Sequence, residues 1–495
     1  MTFNTLFRKA LVASVSVAAI AGAASAGVPG FTDSTAGSAD FALTADAGYI
    51  TSADGGVIYM WGYHIDGSPY MQYPGPTLIV DEGDDVTITL SNCLGGELSA
   101  ENTSLIVPGF AVTATGGEAG QATQEAVAAD CRSGGTADPV TYTFNADRPG
   151  TFIYQSGTNM TVQNEMGLAG ALIVRPAGFQ HRDATDIPDV LPISDGNGGV
   201  TTVDDPYNFT PAHHNQTAYG IAESEFDYEY LYVLSDIDPL IHELVRDGKM
   251  EEARNTDARA VYWMMNGRAG PDTFFPNNSP WLPTQPYGSM TQMQPGTKTL
   301  VRTVSIGQDL HPFHLHGNYA RVIAKDGNLL TSDRDAATIE TDLSYSDYTV
   351  TAVPGQTFDA IFEWSDKGMG WDVFDSSTDH PETWHETSAR TDGTHGQAIP
   401  VALPAIPDLT FGGFWSGSPY LGSFGQLPPG EGGLNLNGGY FFMWHSHNEK
   451  ELVNNDVFPG GMMTMLIVEP FLDDTGGLLT IPRGASFETD VTATN

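Results

Sequence analysis

The chain has 495 residues, of which 61 are acidic and only 20 are lysine or arginine, giving a net charge of −41 near neutrality. A surface of that sign repels nucleic acid and anionic lipid, so neither is expected as a partner, while divalent cations remain compatible with it. The length leaves room for two to four domains of about 150 residues each.

In chain order, the first feature is a leader. Arg8 and Lys9 precede an apolar, small-residue run from Ala10 to Ala24, and Ala24-Ser25-Ala26 offers an A-x-A cleavage site. This three-part pattern predicts a signal peptide over 1–26 and therefore an exported protein, periplasmic or extracellular. No later stretch stays apolar for the ~20 residues a bilayer span requires, so no membrane span is expected. The chain has only two cysteines, Cys93 and Cys131. In an oxidising compartment they read as a disulfide, which would leave no thiolate for a metal.

Frequent turn signals, 56 glycines, 31 prolines and short β-branched or aromatic runs predict an all-β protein. Asp85 to Leu90 alternates as a half-buried strand should; Gly170 to Val174 and Leu231 to Leu234 read as strands buried on both faces. Pro239 to about Ala253 is compatible with one helix. Two copies of a similar order are visible. The first runs from Pro74-Gly75-Pro76-Thr77 to Met166-Gly167-Leu168-Ala169-Gly170; the second runs from Tyr232 through a histidine cluster to Gly460-Gly461-Met462-Met463. Each fits one Greek-key β-sandwich. The expected organisation is a first domain over 40–178, a linker over 179–225, a second domain over 226–472 and a tail over 473–495. The second domain carries a Gly-, Pro- and Thr-rich loop insertion at 366–437, of a length that marks lids or disordered segments.

Most of the chemistry lies in two stretches, His311-Pro312-Phe313-His314-Leu315-His316-Gly317 and His445-Ser446-His447. Residues two apart on a strand share a face, so His314 with His316, and His445 with His447, each present two imidazoles to one side. If the strands are neighbours, four nitrogen ligands converge, a set that favours copper or zinc over hard cations.

The first stretch resembles the HPxHLHG signature of multicopper oxidases, and the second resembles their HCH signature with serine in the middle. Tyr73-Pro74-Gly75-Pro76-Thr77, Tyr142 to Phe152 and Gly167 to Pro176 agree with the family's framing motifs, at two-domain length. The resemblance implies two cupredoxin-like (plastocyanin-like) sandwiches. It assigns His311 to the type 1 copper and His314, His316, His445 and His447 to the trinuclear cluster. The type 1 cysteine falls at Ser446, a further type 1 histidine at Glu451 and the axial methionine at Asp456. A blue-copper centre depends on a copper–thiolate bond that serine cannot supply, so no type 1 copper is expected. In the first domain the family's histidine motifs fall on Ser104 to Gly109 and on Tyr154-Gln155-Ser156-Gly157. Half of the expected cluster ligands are therefore missing, and laccase-type four-electron reduction of dioxygen is not expected.

What remains is a mononuclear site. His314, His316, His445 and His447 are expected to bind one copper ion, with zinc as the alternative and His311 and Glu451 as supporting or alternative ligands. The function read from this is copper binding by an exported protein, with room for an unconventional oxidoreductase activity. The alternative is a metal-free cupredoxin scaffold serving as a cell-surface or assembly interaction protein. Two-domain family members form trimers, so the resemblance also implies a homo-oligomer. Other candidates carry less. His380, His385 and His395 in the loop insertion read as solvated, His181, His213 and His214 as linker surface, and Met462, Met463 and Met465 as core. The Asp195 to Asp205 run lacks calcium-loop spacing.

Overall fold

In the computed structural model of the chain, the described residues are 28–32, 37–179, 216–293, 297–335, 338–364 and 442–468, with the backbone alone of 440–441, Val190–Ser194, Val200–Asp204, Ser418–Pro419 and Thr489–Asp490. The predicted signal peptide, most of the linker, the 366–437 insertion apart from 418–419, and the tail apart from 489–490 lie outside the described residues. So do the side chains of His181, His213, His214, His380, His385, His395 and the Asp195 to Asp205 run.

Alternation along Asp85–Asn92, one residue in and the next out, is the pattern of a strand with a single buried face. It lies in the middle of a sheet ordered Val57–Ile65, Ser38–Thr51, Asp85–Asn92, Val140–Asn145, Thr113–Thr115. Facing it is a sheet ordered Gly150–Gln155, Ala169–Arg175, Gly75–Asp81, Phe31–Thr32, Thr489–Asp490. Trp61, Tyr63, Ile88, Tyr142, Phe152 and Leu172 fill the space between them. The second sandwich repeats the plan. One sheet is ordered Tyr262–Met265, Tyr228–Ile237, Lys298–Ser305, Thr357–Glu363, Ala320–Lys325, Asn328–Leu329. The other is ordered Thr291–Met293, Met463–Val468, Tyr440–Ser446, His311–Leu315, Thr349–Ala352. Tyr232, Trp263, Phe313, Trp444, Met462, Met463 and Met465 belong to its core, so the methionines pack as apolar side chains. The fold is all-β, with two cupredoxin-like sandwiches.

A third core joins the two domains. Strand alternation divides Gly75–Asp81, Ala169–Arg175 and Tyr228–Ile237 between two apolar environments. Leu78, Leu172 and Tyr232 point into their own sandwiches, whereas Ile79, Ile173, Leu231 and Val233 meet across the domain boundary. This is why Gly170 to Val174 and Leu231 to Leu234 are apolar without alternation. Replacing Ile173 by alanine is expected to destabilise the pair of domains by about 2–5 kcal/mol, the usual range for truncating a buried isoleucine. Chemical denaturation of wild type and variant measures it; an effect within ~0.5 kcal/mol would contradict a packed domain boundary.

The boundary also holds a buried ionic network. Arg175 donates from Nη1 and Nη2 to Glu229 (2.5 and 2.8 Å), and Arg302 Nε donates to the same carboxylate. Arg302 Nη1 reaches Asp359 Oδ2 at 3.1 Å and Thr151 Oγ1 at 2.9 Å, and the Tyr219 hydroxyl donates to Asp359. All four charged groups are at most 1 % exposed and their charges balance. Burial pushes the Glu229 carboxyl up, but Arg175 and Arg302 outweigh it and hold it below the usual glutamate range.

Two local features complete the frame. Cys93 and Cys131 are joined as a disulfide. The expected helix over 239–253 is instead two short ones, Pro239–Arg246 and Met250–Arg254. Asp238 caps the first by accepting the Leu240 N–H at 2.9 Å, and Gly248, at φ 77°, supplies the left-handed turn that ends it. No helix among the described residues is long and apolar enough to cross a membrane.

Candidate metal centre

His311–Leu315 and Tyr440–Ser446 are adjacent antiparallel strands, with His314 directly opposite His445 and Phe313 opposite Ser446. The odd positions, His311, Phe313 and Leu315, turn inward and are buried. His314 and His316 turn outward and are half-buried. Gly317 follows at φ 100° and ends the strand; a side chain there would meet the Phe442 ring at about 3.1 Å. The Trp444 indole N–H donates to the His316 carbonyl at 3.0 Å, pinning the backbone that carries the ligand.

Three imidazoles come together on this outer face. One nitrogen each of His314, His316 and His445 lies within 4.8 Å of the others. The closest pair, His316 Nε2 and His445 Nε2, is 3.2 Å apart. Bonds of about 2.0–2.1 Å to a tetrahedral ion put its nitrogen ligands roughly 3.4 Å apart, so small rotations of these rings complete a three-nitrogen site. His447, the fourth expected ligand, is exposed; its ring centroid is 4.7 Å from that of His314, but its nitrogens stand outside the convergent three.

Hydrogen bonds behind the rings decide which nitrogens are offered. His445 Nδ1 is 2.6 Å from the Ser446 carbonyl, which can only accept, so Nδ1 carries the proton and Nε2 presents its lone pair. His314 Nδ1 is 2.6 Å from the Thr349 hydroxyl, which orients that ring. Burial lowers the His445 pKa to about 4, with the neighbouring imidazoles adding to the effect. Burial, then the charge of His447, also lowers that of His314. Both are therefore neutral at pH 7, the form that binds metal. An open cleft of about 320 Å³ lies against the group, lined by His314, His316, Asn318, Tyr319 and Tyr348.

A stability consequence follows for the metal-free protein. His445 has a folded pKa near 4, below the unfolded value near 6.5, so its contribution is complete above pH 6.5 and is lost as pH falls to 4. Thermal unfolding of wild type between those limits is expected to decline more steeply than that of His445→Asn. Parallel declines would contradict a neutral, buried imidazole.

His311 and Glu451 are not with this group. An odd offset from His314 puts His311 on the inner face, where it is fully buried. Its Nδ1 is 2.9 Å from Glu451 Oε2, and its Nε2 is 3.4 Å from Asp236 Oδ1. Ser446 is also fully buried on that face, and its Oγ accepts the Asn448 N–H at 3.2 Å. Burial alone would lower the His311 pKa, but Asp236 and Glu451 raise it to about 9. Asp456 is exposed at a positive-φ turn. Asp236 is the member of this inner cluster that sequence reasoning missed, because it has no metal-ligand spacing to anything.

In the first domain, Ile106 bridges Gln155. Around them Thr103 and Ser156 donate to Gln163 Oε1 at 2.8 and 2.7 Å, while Ser104 and Thr158 hydrogen-bond at 2.9 Å. A side chain at Gly157 would meet Ile106 Cγ2 at 2.7 Å. Hydroxyls and amides satisfied by one another fill the space, and none of them is a soft metal donor.

Two cupredoxin-like sandwiches with a histidine cluster on adjacent strands define a copper-oxidase class of fold. Family models described as multicopper oxidase match residues 68–178 and 255–386. The chain belongs to the multicopper oxidase family as a divergent member. Among solved structures it is similar to the multicopper oxidase mgLAC, at 17% identity and TM-score 0.45 over 87% of this chain and 85% of that one. It is similar also to a blue copper oxidase from Nitrosomonas europaea, at 17% identity and TM-score 0.45 over 86% and 85%. A copper nitrite reductase from the same organism shares 18% identity at TM-score 0.38, over 67% of this chain and 88% of that one. A comparison with curated protein sequences finds no match.

Proposed function

We propose that this is an exported copper-binding protein that holds one ion at His314, His316 and His445, with His447 as a neighbouring fourth imidazole. The observation that carries this reading is the convergence of three ring nitrogens, two of them on imidazoles with lowered pKa and a bond behind each ring. Bound copper would supply a redox-active, Lewis-acidic centre. The chain's own part is to offer Nε2 of His445, to fix the His314 ring through Thr349, and to leave the Tyr319–Tyr348 side open for a further ligand.

Four-electron reduction of dioxygen is not part of this proposal. Ser446 supplies no thiolate, and the first-domain positions that match the family's histidine motifs carry Ile106, Ser156 and Gly157 in place of imidazoles. Oxygen uptake by the copper-loaded protein with a phenolic or ferrous electron donor is the test. Uptake no greater than that of a His314→Ala/His445→Ala variant is expected; stoichiometric conversion of oxygen to water would overturn the reading.

One observation favours a metal-free scaffold. The 3.2 Å contact between His316 Nε2 and His445 Nε2 is itself a hydrogen-bond distance, so the cluster can stand without an ion. Failure of the purified protein to take up copper or zinc would select that reading.

A further inference from the structure

The chamber on the inner face of the His311 strand is closed by charge. His311 is fully buried, and Asp236 and Glu451 are 3 % and 1 % exposed. The three come from separate elements: Tyr228–Ile237, His311–Leu315 and the turn Glu449–Leu452. N–H groups also support both carboxylates. Asp236 accepts the Gln308 N–H at 2.9 Å and the Asp309 N–H at 3.1 Å, and Glu451 Oε1 accepts from Asn448 Nδ2 at 2.9 Å. Two buried carboxylates with no cation between them would be strongly unfavourable; an imidazolium bonded to one and in charge contact with the other offsets one of the two charges, and the N–H donors around Asp236 and Glu451 solvate the other.

We propose that the position of the family's type 1 copper has been rebuilt as a proton-occupied joint, in which protonated His311 bridges Asp236 and Glu451 and takes the structural place of the metal ion. His311 Nδ1–H donates to Glu451, and Nε2, which makes no hydrogen bond, lies in charge contact 3.4 Å from Asp236 Oδ1. Ser446, on the same inner face, adds a neutral hydroxyl rather than a thiolate, so it brings no further negative charge to the cluster. The joint reaches the domain boundary. Gln308, bonded to Asp236 through its backbone, donates from Nε2 to Glu165 of the first domain at 3.0 Å; Glu165 accepts the Asp238 N–H at 2.8 Å and lies 3.5 Å from His242 Nε2.

Other charged groups face the joint. Asp309 is exposed at the edge of the joint, its carboxyl raised by partial desolvation and then by the charge of Asp236; Lys450 is the cation near it. Tyr73, whose phenol burial keeps neutral, lies on the Asp236 and Glu165 side. The raised pKa of His311 agrees with the geometry. A group raised from 6.5 to about 9 stabilises the fold fully below pH 6.5 and ceases to do so as pH rises through 9.

The test uses full-length protein labelled with ¹⁵N-histidine. One of its 13 imidazoles is expected to remain doubly protonated at about pH 8. That signal should be missing from His311→Gln. The wild-type midpoint of thermal unfolding should fall by about 5 °C or more between about pH 6.5 and 9; this slope should vanish in His311→Gln and shrink in Glu451→Gln, where Asp236 still faces the imidazole. If His311→Gln does not fold, the labelled wild type and Glu451→Gln decide the matter. Neutral imidazoles throughout at about pH 8 would overturn the proposal. Copper retention lowered by His311→Gln but not by His314→Ala would overturn it too, because the chamber would then be a metal site.

Discussion

Replacing His445 or His316 with alanine is expected to weaken Cu(II) and Zn(II) binding by roughly 100-fold or more. Loss of a residue that merely orients a ligand commonly costs 10–100-fold, and loss of a ligand from a three-nitrogen set costs at least the upper end of that range. His316 and His445 form the closest nitrogen pair of the cluster, so each removal opens the site. His447 gives the control. It is exposed and its nitrogens stand outside the convergent group, so His447→Ala should cost about tenfold or less. Competition against a chromophoric chelator measures all three. Equal losses from all three variants would mean that the site is not built as described.

Glu229→Ala should have the largest effect on stability, about 3–5 kcal/mol, the usual consequence of removing one partner from a buried ion pair. Glu229 accepts from both Arg175 and Arg302, and all three are fully buried. Its removal leaves two guanidiniums with only the Asp359 carboxylate to offset them. Arg175 belongs to the first sandwich and Arg302 to the second, so the damage falls on the boundary between the domains. Denaturant unfolding followed by tryptophan fluorescence should show a lower midpoint or a separation into two transitions. A loss below about 1 kcal/mol would place the pair among weak surface bridges and contradict its burial.

What the sequence makes legible is set by the range of the interaction. The period of two on a strand puts His314 with His316 on one side and His311 on the other, and the structure follows it. The same rule offers His447 as a partner of His445, but it falls just beyond Ser446, where the strand ends, and the ring lies in solvent. Ser446 and Glu451 are visible as departures from a family motif. Asp236, the second carboxylate beside His311, is not, because it lies on a distant strand and only the tertiary fold brings it there. Arg175, Glu229, Arg302 and Asp359 are invisible for the same reason. Each is a charge set among apolar strand residues, and nothing local says which opposite charge it meets across the boundary. The continuous apolar runs at Gly170 to Val174 and Leu231 to Leu234 do announce burial on both faces, though not that the two runs face each other.

The central claim is that the family's wiring is lost while one outer histidine site is kept, and metal analysis combined with electron paramagnetic resonance tests it most directly. After copper loading and dialysis, the purified protein is expected to hold about one Cu(II) per chain, with a type 2 signal and without the intense visible band of a copper–thiolate bond. The ion should be lost in His314→Ala/His445→Ala and kept in His311→Gln. An intense blue colour, three coppers per chain, or an ion indifferent to His314 and His445 would contradict the account.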